Sequence, residues 1–251
     1  MTSVSPLTAA ADLPRLQPVQ LGWLAAAVFV VSAGYGALMP LLPGWLSELT
    51  PGATEAEIAR HVGFLSGTYA GGVLVGAPLW GVMSDRAGRS RILVVGLVGY
   101  VASLLLLLVP TLSSLWGMYV LRGATGFFVA AVVPVVAALV AEHTPRQQRA
   151  RRFAWLSAMS LLGFLFGPGM GVIADGIGAL LISGVVSPSL SARLVIVLSA
   201  VLGATMMAGL TVTLPTTQPA NAAAQISPGA STEGRHLALW WMNGVVMLVL
   251  A

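Results

Sequence analysis

The chain has 251 residues, of which 57% are hydrophobic and 8% are charged, and its mean hydropathy is +0.91. A soluble domain carries about 25% charged residues, so the composition excludes a soluble globular protein and predicts a protein that crosses a membrane several times. All twelve permanently basic residues are arginines, and arginine retained in loops explains the net charge of +4 without a nucleic-acid partner. The absence of cysteine excludes disulfides and thiolate chemistry, and the three separated histidines predict no metal site.

Apolar runs along the chain predict six complete membrane helices. A helix that crosses a bilayer needs about 20 mostly apolar residues. The predicted spans are residues 21–43, 62–84, 92–110, 115–141, 153–175 and 192–214. The predicted fold class is therefore an all-α polytopic membrane protein with a six-helix bundle over residues 21–214. The third span is plainly aliphatic, and we expect it to face lipid.

The segments that flank this bundle have a different composition. Residues 1–20 are polar and contain proline, and they predict a tail outside the membrane. Residues 215–236 are rich in Pro, Thr, Ala, Ser and Gly, which is typical of a flexible linker. Residues 237–251 are apolar but span only about 22 Å as a helix, short of a hydrocarbon core of about 30 Å. They predict an incomplete seventh membrane helix.

The distribution of arginine predicts the orientation of the bundle. Alternate connections place most of the arginines on one side of the membrane. That side holds Arg15, Arg86, Arg89, Arg91, Arg146, Arg149, Arg151, Arg152 and Arg235. The opposite side holds only Arg60 and Arg193. Because short cytoplasmic loops retain positive charge, we expect a multi-pass protein of the cell's inner (plasma) membrane with its N-terminus and linker in the cytoplasm.

The connection between the second and third spans carries the most informative motif, G-x-x-x-D-R-x-G-R-x-R over residues 81–91. Gly88 permits a tight reversal, and Asp85 lies where a carboxylate can meet an arginine or a helix N-terminus. Any short cytoplasmic loop tends to be rich in arginine, but two glycines and an aspartate in register resemble the signature loop of the major facilitator superfamily of secondary transporters. The resemblance implies a cytoplasmic latch that holds one state of the transport cycle. Its residues would be Gly81, Asp85, Arg86, Gly88, Arg89 and Arg91.

The fourth span contains the only charge deep in a predicted helix, Arg122. Such a charge costs at least a few kcal/mol unless it faces a cavity or a partner. The alternative is that its side chain reaches out to the outer headgroups. Residues 122–126 resemble the family's R-x-x-Q-G motif, with Thr125 in place of glutamine, and in exporters of the family that arginine is associated with proton coupling. The first span ends in the pattern G-x-x-x-P-x-x-P, and Tyr35 directly precedes it. The Tyr35 side chain is expected either to face a cavity or to lie at the membrane interface.

Glycines in the fifth and second spans predict close contacts between helices. Gly163, Gly167 and Gly171 share one face of the fifth span, and Pro168 should bend it. The segment resembles the antiporter motif G-x-x-x-G-P-x-x-G-G of drug-exporting family members, with Val172 where a second glycine is usual; the alternative is a generic packing helix. In the second span Gly63, Gly67 and Gly71, followed by Gly72 and Gly76, form one slowly drifting stripe that also predicts a contact face, either static or sliding.

The loop after the fourth span resembles the family's second conserved cytoplasmic stretch, E-x-x-P-x-x-x-R. Glu142 and Arg149 are expected to belong to a cytoplasmic charge network in which Glu142 pairs with an arginine of this loop or of the first signature loop. Exposed pairs are individually worth about 0–1 kcal/mol, but a network whose partners change could bias a conformational equilibrium. Arg151 and Arg152 are expected to set topology only.

The resemblance implies one complete half of a twelve-helix carrier, a linker and the start of a second half. It predicts proton-coupled efflux of hydrophobic or amphipathic small molecules by alternating access. The predicted partners are a small-molecule substrate, protons, the lipid bilayer and a second half or a second copy, with no cofactor beyond the proton gradient. A proton-coupled carrier usually needs a titratable group within the membrane, but no carboxylate lies deep within any predicted span. Either the second half supplies this group, or transport is coupled in another way.

Other functions remain open at this point. The chain could be a truncated or half-size membrane protein without transport activity, or a uniporter or symporter of another small metabolite. A membrane enzyme is disfavoured because the sequence has no G-x-S-x-G, H-E-x-x-H or P-loop motif.

Overall fold

The computed structural model describes residues 16–181 and 186–214 of the chain. These residues contain no strand, and they confirm the predicted all-α bundle. Six helical segments of this part are long and apolar enough to cross a membrane. They are Pro18–Leu49, Glu55–Ala87, Arg89–Leu106, Leu115–Glu142, Arg146–Leu181 and Pro188–Thr213. The predicted linker at residues 215–236, the predicted incomplete helix at 237–251 and most of the predicted tail lie outside the described residues.

The first segment contains two helices in line. Helix α1 (Pro18–Leu38) leads through a single 3-10 turn at Met39–Leu41 into α2 (Leu42–Leu49). Pro40 and Pro43 fall at this junction, where each removes a backbone N–H donor. The helix therefore continues beyond residue 43, where the sequence predicted the first span to end.

Helices α3 (Glu55–Ala87) and α4 (Arg89–Leu106) are joined by one residue. A capping box starts α3: the Thr54 hydroxyl accepts a hydrogen bond from the Glu57 N–H at 3.3 Å, and the Glu57 carboxylate accepts one from the Thr54 N–H at 2.9 Å. Gly88 ends α3 with φ of +96°, a conformation that other residues rarely adopt. The expected loop at residues 81–91 is thus almost entirely helical, and only Gly88 makes the reversal.

The fourth span is interrupted, which the sequence analysis did not predict. Three residues, 130–132, separate α5 (Leu115–Val129) from α6 (Val133–Glu142). Pro134, near the start of α6, lacks the N–H that a continuous helix would need at this position. At the break the Ala131 N–H bonds to the Phe128 carbonyl at 3.0 Å instead of reaching Phe127. The freed Phe127 carbonyl accepts the indole N–H of Trp80, on α3, at 2.8 Å.

Helix α1 lies between α7 (Arg146–Leu181) and α8 (Pro188–Thr213) and is the most buried of the bundle. Eleven of its residues are buried, many of them alanine or valine. The Gln20 amide donates to the Thr213 carbonyl of α8 at 2.9 Å, and the Ser32 and Ser160 hydroxyls join α1 to α7 at 2.9 Å. Small side chains here let three helices share one tightly packed core.

Contacts between α1 and α7 involve the two backbones directly. A Cβ atom placed on Gly163 would overlap the Phe29 carbonyl oxygen, and one on Gly167 would lie 2.5 Å from the carbonyl carbon of Gly36. A Cβ on Gly36 would in turn lie 2.6 Å from the Phe164 carbonyl oxygen, which Pro168 deprives of a helical donor. Gly171 makes no such contact, because an added Cβ meets no atom within 4 Å.

Part of the predicted glycine stripe of α3 forms a contact face. A Cβ on Gly72 would overlap the Gly123 carbonyl oxygen, and one on Gly76 would lie 2.7 Å from the Phe127 carbonyl oxygen, so α5 packs closely on these two glycines. An added Cβ on Gly63, Gly67 or Gly71 meets no described atom within 4 Å, so these three glycines make no close contact within the described bundle.

Helix α4 also departs from expectation, because one of its faces is buried in the bundle. Leu93, Leu97, Tyr100 and Leu104 are at most 1% exposed, at the three- and four-residue spacing of a single helical face. Gly96 allows the close approach, since a Cβ there would lie 2.6 Å from that of Ala131. Only the opposite face of this aliphatic helix is exposed.

Candidate functional site

The centre of the candidate site is the Arg122 side chain, on α5. It is 2% exposed, so it points into the bundle rather than outward to the headgroups. Its guanidinium carbon lies 5.3 Å from the ring centroid of Tyr35, on α1, and 5.1 Å from that of Tyr69, on α3. Cation–π contacts of this kind are worth about 2 kcal/mol or more when they are shielded from water. Two tyrosine rings therefore supply part of the stabilisation that a carboxylate usually gives.

Arg122 nevertheless keeps unused hydrogen-bonding capacity. Among the described residues its Nε and Nη2 atoms are buried without a hydrogen-bond partner. Leaving a buried charged donor unpaired is costly. Thr125, which stands in the motif position beside Arg122, does not relieve this, because its hydroxyl donates to the Leu121 carbonyl of its own helix at 2.7 Å.

A narrow void lies against this guanidinium group. It encloses about 190 Å³ between atoms, but no point within it admits a water-sized sphere. Its polar lining comes from Tyr35, Tyr69, Tyr100, Arg122 and Thr125, and the remainder of its wall is apolar. The Tyr100 hydroxyl is also buried without a partner among the described residues.

Aromatic contacts connect this site to the fifth span. The Tyr35 ring centroid lies 4.5 Å from that of Tyr69 and 5.4 Å from that of Phe164, which follows Gly163 in the antiporter-like motif. The predicted residues Tyr35, Arg122 and Gly163 thus lie close together, although they come from three helices. Gly171 and Pro168 are further along α7.

A second polar cluster, the latch cluster, forms where α3, α4 and α6 meet. Its centre is Arg89: Nη2 lies 2.6 Å from the Asp85 carboxylate and 2.9 Å from the Glu142 carboxylate, and Nε donates to Glu142 at 3.0 Å. Nη1 donates to the buried Ser84 hydroxyl at 2.7 Å. One guanidinium group thus links the two signature segments, residues 81–91 and the stretch that begins at Glu142.

The other predicted latch residues lie outside this ion-paired cluster in the described part of the chain. Arg86 and Arg91 are exposed, and Gly81 has open space beside its Cα. Arg149 lies inside α7 and donates its Nε to the Thr144 carbonyl at 3.1 Å. Glu142 therefore pairs with Arg89 of the first signature segment, which is one of the two pairings that the sequence left open. Arg149 instead bonds to the backbone of its own loop.

We expect Arg89→Gln to lower the thermal stability of the bundle, because it removes both ion pairs of the latch cluster, each worth about 0–1 kcal/mol. Arg91→Gln is the matched control, since Arg91 lies two residues further along α4 and is exposed. The measurement is the thermal midpoint of each purified variant in detergent, followed by circular dichroism. Equal decreases of the thermal midpoint in the two variants would show that the loss of a positive charge, rather than the loss of the latch cluster, causes the effect.

Sequence reasoning missed two residues of the Arg122 site, Tyr69 and Tyr100. It also missed Trp80, whose indole N–H bonds to the Phe127 carbonyl at the break between α5 and α6. All three lie on helices other than the one they pack against, so no spacing in the sequence connects them. A tyrosine inside an aliphatic span was the available signal, because its hydroxyl needs a partner or a polar cavity. For Trp80 the signal was Pro134, which frees a carbonyl elsewhere in the bundle.

The six membrane-capable helices of the described residues define the class of the protein, which is a polytopic membrane protein. The sequence model of the Major Facilitator Superfamily matches residues 24–251, and the chain belongs to this superfamily. It is similar to the class B tetracycline resistance protein of Escherichia coli, with 41% identity over 147 residues that cover 57% of this chain and 34% of that protein. The quinolone resistance protein NorA of Staphylococcus aureus (strain N315) is 29% identical over 144 residues, which cover 57% of this chain and 35% of NorA.

A similarity of fold extends over nearly the whole chain. A crystal structure of the peptide transporter POT in complex with sulfate superposes with a TM-score of 0.63 at 17% identity, covering 99% of this chain and 49% of that one. The chain thus spans about half the length of that transporter, and its matches cover about a third of the curated relatives.

Proposed function

We propose that the protein exports hydrophobic or amphipathic small molecules across the membrane in exchange for protons, by alternating access of its central site to the two sides. The named relatives support the export of drug-like compounds, because two of them are resistance proteins for tetracycline and quinolones. The proposal places the N-terminus and the latch cluster in the cytoplasm. A second half, or a second copy, would complete the cavity.

The observation that carries this proposal is the buried guanidinium group of Arg122 at the junction of α1, α3 and α5, whose Nε and Nη2 atoms have no hydrogen-bond partner among the described residues. A buried positive charge attracts the ionised form of an acid and not the neutral form. An acidic group that reaches Arg122 is therefore held when it is ionised and released when it takes up a proton. For exchange against protons this acid must belong to the protein, because a proton taken up by an acid of the substrate would leave with the substrate. Proton uptake by a carboxylate of the protein releases that carboxylate from Arg122, and this step couples proton binding to a change at the site.

The latch cluster supports the conformational part of the proposal. Asp85 and Arg89 belong to the ends of α3 and α4, and Glu142 ends α6, so these contacts hold three helix ends together. Asp85 is 62% exposed and can exchange its partner when the cytoplasmic side opens. Exchange of weak pairs is suited to a switch, since a shift of about 1 kcal/mol changes populations several-fold.

The test is export of tetracycline by everted membrane vesicles that contain the protein. We expect accumulation that a protonophore abolishes, whereas Arg122→Ala inserts normally but no longer responds to the proton gradient. Arg193→Ala is the control, because it removes an exposed arginine near the start of α8. Equal protonophore sensitivity of Arg122→Ala and the unchanged protein would contradict the coupling role, and vesicles that accumulate no drug of a panel would contradict the export function.

A further inference from the structure

We propose that the hydroxyl group of Tyr100, positioned by Ser199, binds an uncharged hydroxyl or carbonyl oxygen of the substrate. Tyr100 is thereby a specificity-determining residue of the central void, and its contact is separate from that of Arg122. This inference rests on the proposed export function, because it assigns a substrate contact of that transporter. It adds a neutral hydrogen-bonding subsite on α4 and α8, two helices to which the proposed function gives no role at the central site.

Two glycines clear a path for the Tyr100 side chain from α4 to the void. A Cβ atom on Gly34, in α1, would overlap the Tyr100 hydroxyl, and one on Gly203, in α8, would lie 3.3 Å from the Cδ1 and Cε1 atoms of its ring. Tyr100 is 1% exposed, and it belongs to the wall of the void together with Gly34. The hydroxyl therefore reaches the void because both neighbouring helices lack a side chain at the point of contact.

The hydroxyl groups of Tyr100 and Ser199 are both buried without a hydrogen-bond partner among the described residues. A serine inside a helix often bonds to a carbonyl of its own helix, as Ser103 does with the Gly99 carbonyl at 2.7 Å. Ser199 makes no such bond, although it is 0% exposed. Because a buried hydroxyl without a partner is costly, two of them in one region indicate a site that a ligand completes.

Ser199 lies next to the Tyr100 hydroxyl. The Cβ position of Gly34 that overlaps this hydroxyl is 3.5 Å from the Ser199 Oγ atom. A hydroxyl group can donate one hydrogen bond and accept others. When Tyr100 donates to a ligand carbonyl, Ser199 donates to the Tyr100 oxygen after a small rotation of its side chain. When a ligand hydroxyl donates to Tyr100, Tyr100 donates to Ser199, so the pair serves either kind of oxygen atom and Ser199 acts through Tyr100.

The surroundings of the two hydroxyl groups favour an uncharged ligand group. Val31, Leu38 and Leu104 contribute apolar side chains to the void, and the Thr125 hydroxyl is used by its own helix. Two hydroxyl groups satisfy one uncharged oxygen atom but do not offset the loss of hydration of an ion. The void admits no water-sized sphere in this state, so it must widen before a ligand enters. The expected ligand is an apolar ring system that carries a hydroxyl or carbonyl group.

The first experiment compares 2-naphthol with naphthalene, which has the same rings and no oxygen atom. Both are titrated at pH 7, where 2-naphthol is uncharged, into the purified protein in dodecyl maltoside by isothermal titration calorimetry, and titrations into micelles alone are subtracted. We expect 2-naphthol to bind at least about fivefold more tightly, as one hydrogen bond implies. Tyr100→Phe should abolish this preference. Equal affinities in the unchanged protein, or a preference that survives in Tyr100→Phe, would overturn the inference.

Tyr119→Phe is the matched control, because the Tyr119 hydroxyl is already paired: it lies 2.6 Å from the His61 Nδ1 atom. In the empty protein the two variants should have opposite effects. We expect Tyr100→Phe to raise the thermal midpoint of unfolding by about 2–4 °C, because it removes an unpartnered buried hydroxyl. Tyr119→Phe should lower the midpoint and keep the preference for 2-naphthol. A lower midpoint of empty Tyr100→Phe would show that its hydroxyl already has a partner, which contradicts the inference.

Ser199→Ala tests whether Ser199 acts through Tyr100. We expect it to weaken the binding of 2-naphthol by about two- to threefold when Tyr100 is present, and to have no further effect in combination with Tyr100→Phe. A merely structural role of Ser199 would give the same loss in both backgrounds, and such additive losses would overturn the role assigned to it. Neither substitution adds a bulky group to the core, and circular dichroism checks that each variant is folded.

Failure of this inference and failure of the export function give different results. If vesicles accumulate tetracycline while 2-naphthol and naphthalene bind equally, the export function stands and the subsite is wrong. If 2-naphthol binds with the expected dependence on Tyr100 but vesicles accumulate no drug of the panel, the subsite stands as a binding site and the export function is wrong.

Discussion

Replacing Gly72 by alanine is expected to destabilise the bundle by about 1–3 kcal/mol, the usual cost of overpacking a close contact. The added methyl group would overlap the Gly123 carbonyl oxygen and lie 2.8 Å from the Phe127 backbone nitrogen. Neither is the end of a flexible side chain, so α3 and α5 must separate. This separation would also displace Arg122, one residue before Gly123, and Tyr69, which lies on α3 beside the contact.

The matched control for this change is the adjacent glycine, Gly71. An added Cβ there meets no described atom within 4 Å, and alanine favours a helix over glycine by about 1 kcal/mol. We therefore expect Gly71→Ala to be neutral or slightly stabilising. The measurement is the thermal midpoint in detergent followed by circular dichroism, with a decrease of roughly 2–12 °C for Gly72→Ala. Equal midpoints for the two variants would contradict the packing of α3 on α5.

Replacing Trp80 by phenylalanine is the second change for which we expect a large effect. Phenylalanine preserves an aromatic ring beside Phe127 and Phe128 but removes the indole N–H that bonds to the Phe127 carbonyl. That carbonyl has already lost its helical donor at the break between α5 and α6. An unsatisfied buried carbonyl costs about 1–3 kcal/mol, and the loss should appear as a lower midpoint of unfolding.

Trp116→Phe provides the control for the loss of a tryptophan. Its side chain is 76% exposed near the start of α5, so we expect a change within about 0.5 kcal/mol. Native-state hydrogen exchange gives a second readout, because the amides of residues 128–133 should exchange faster only in Trp80→Phe. Unchanged exchange at these amides would show that the hydrogen bond from the Trp80 indole does not stabilise the break between α5 and α6.

The number of membrane helices could be predicted because the bilayer imposes a length that apolar runs must meet. Breaks within a membrane helix were harder to predict from the sequence. Pro134 lies inside an otherwise continuous apolar run, and a proline can be accommodated by a bend, a tight turn or a neighbouring donor. Which of these occurs depends on Trp80, a residue on another helix, so the sequence of the fourth span alone could not decide.

Which face of each helix is packed was the least predictable property. Gly71 and Gly72 differ by one position and therefore by about 100° around α3; both lie in glycine-rich rows, yet only Gly72 contacts α5. In α4 the aliphatic composition is the same on the lipid side and the buried side, because lipid is as apolar as a leucine side chain. Hydrophobic contrast, which orients helices in soluble proteins, is missing here.

The interior position of Arg122 could be anticipated because a charge within a span is tolerated only where it finds partners. The identity of those partners could not. Tyr35, Tyr69 and Tyr100 come from three helices that the fold brings together, and the sequence offers no spacing that relates them. The latch cluster was easier to predict from the sequence, because its acidic and basic residues lie in two short motifs that were expected at the same membrane surface.

The open row on α3 makes the protein well suited to spectroscopic labelling. Gly63, Gly67 and Gly71 are about 6 Å apart along the helix axis and have free space beside each Cα. Because the chain contains no cysteine, a single cysteine introduced at any of these positions would be the unique thiol in the chain. Three such variants would place a spin label or a fluorophore at three depths along about 12 Å of α3, where it would report water access and proximity to whatever faces that helix.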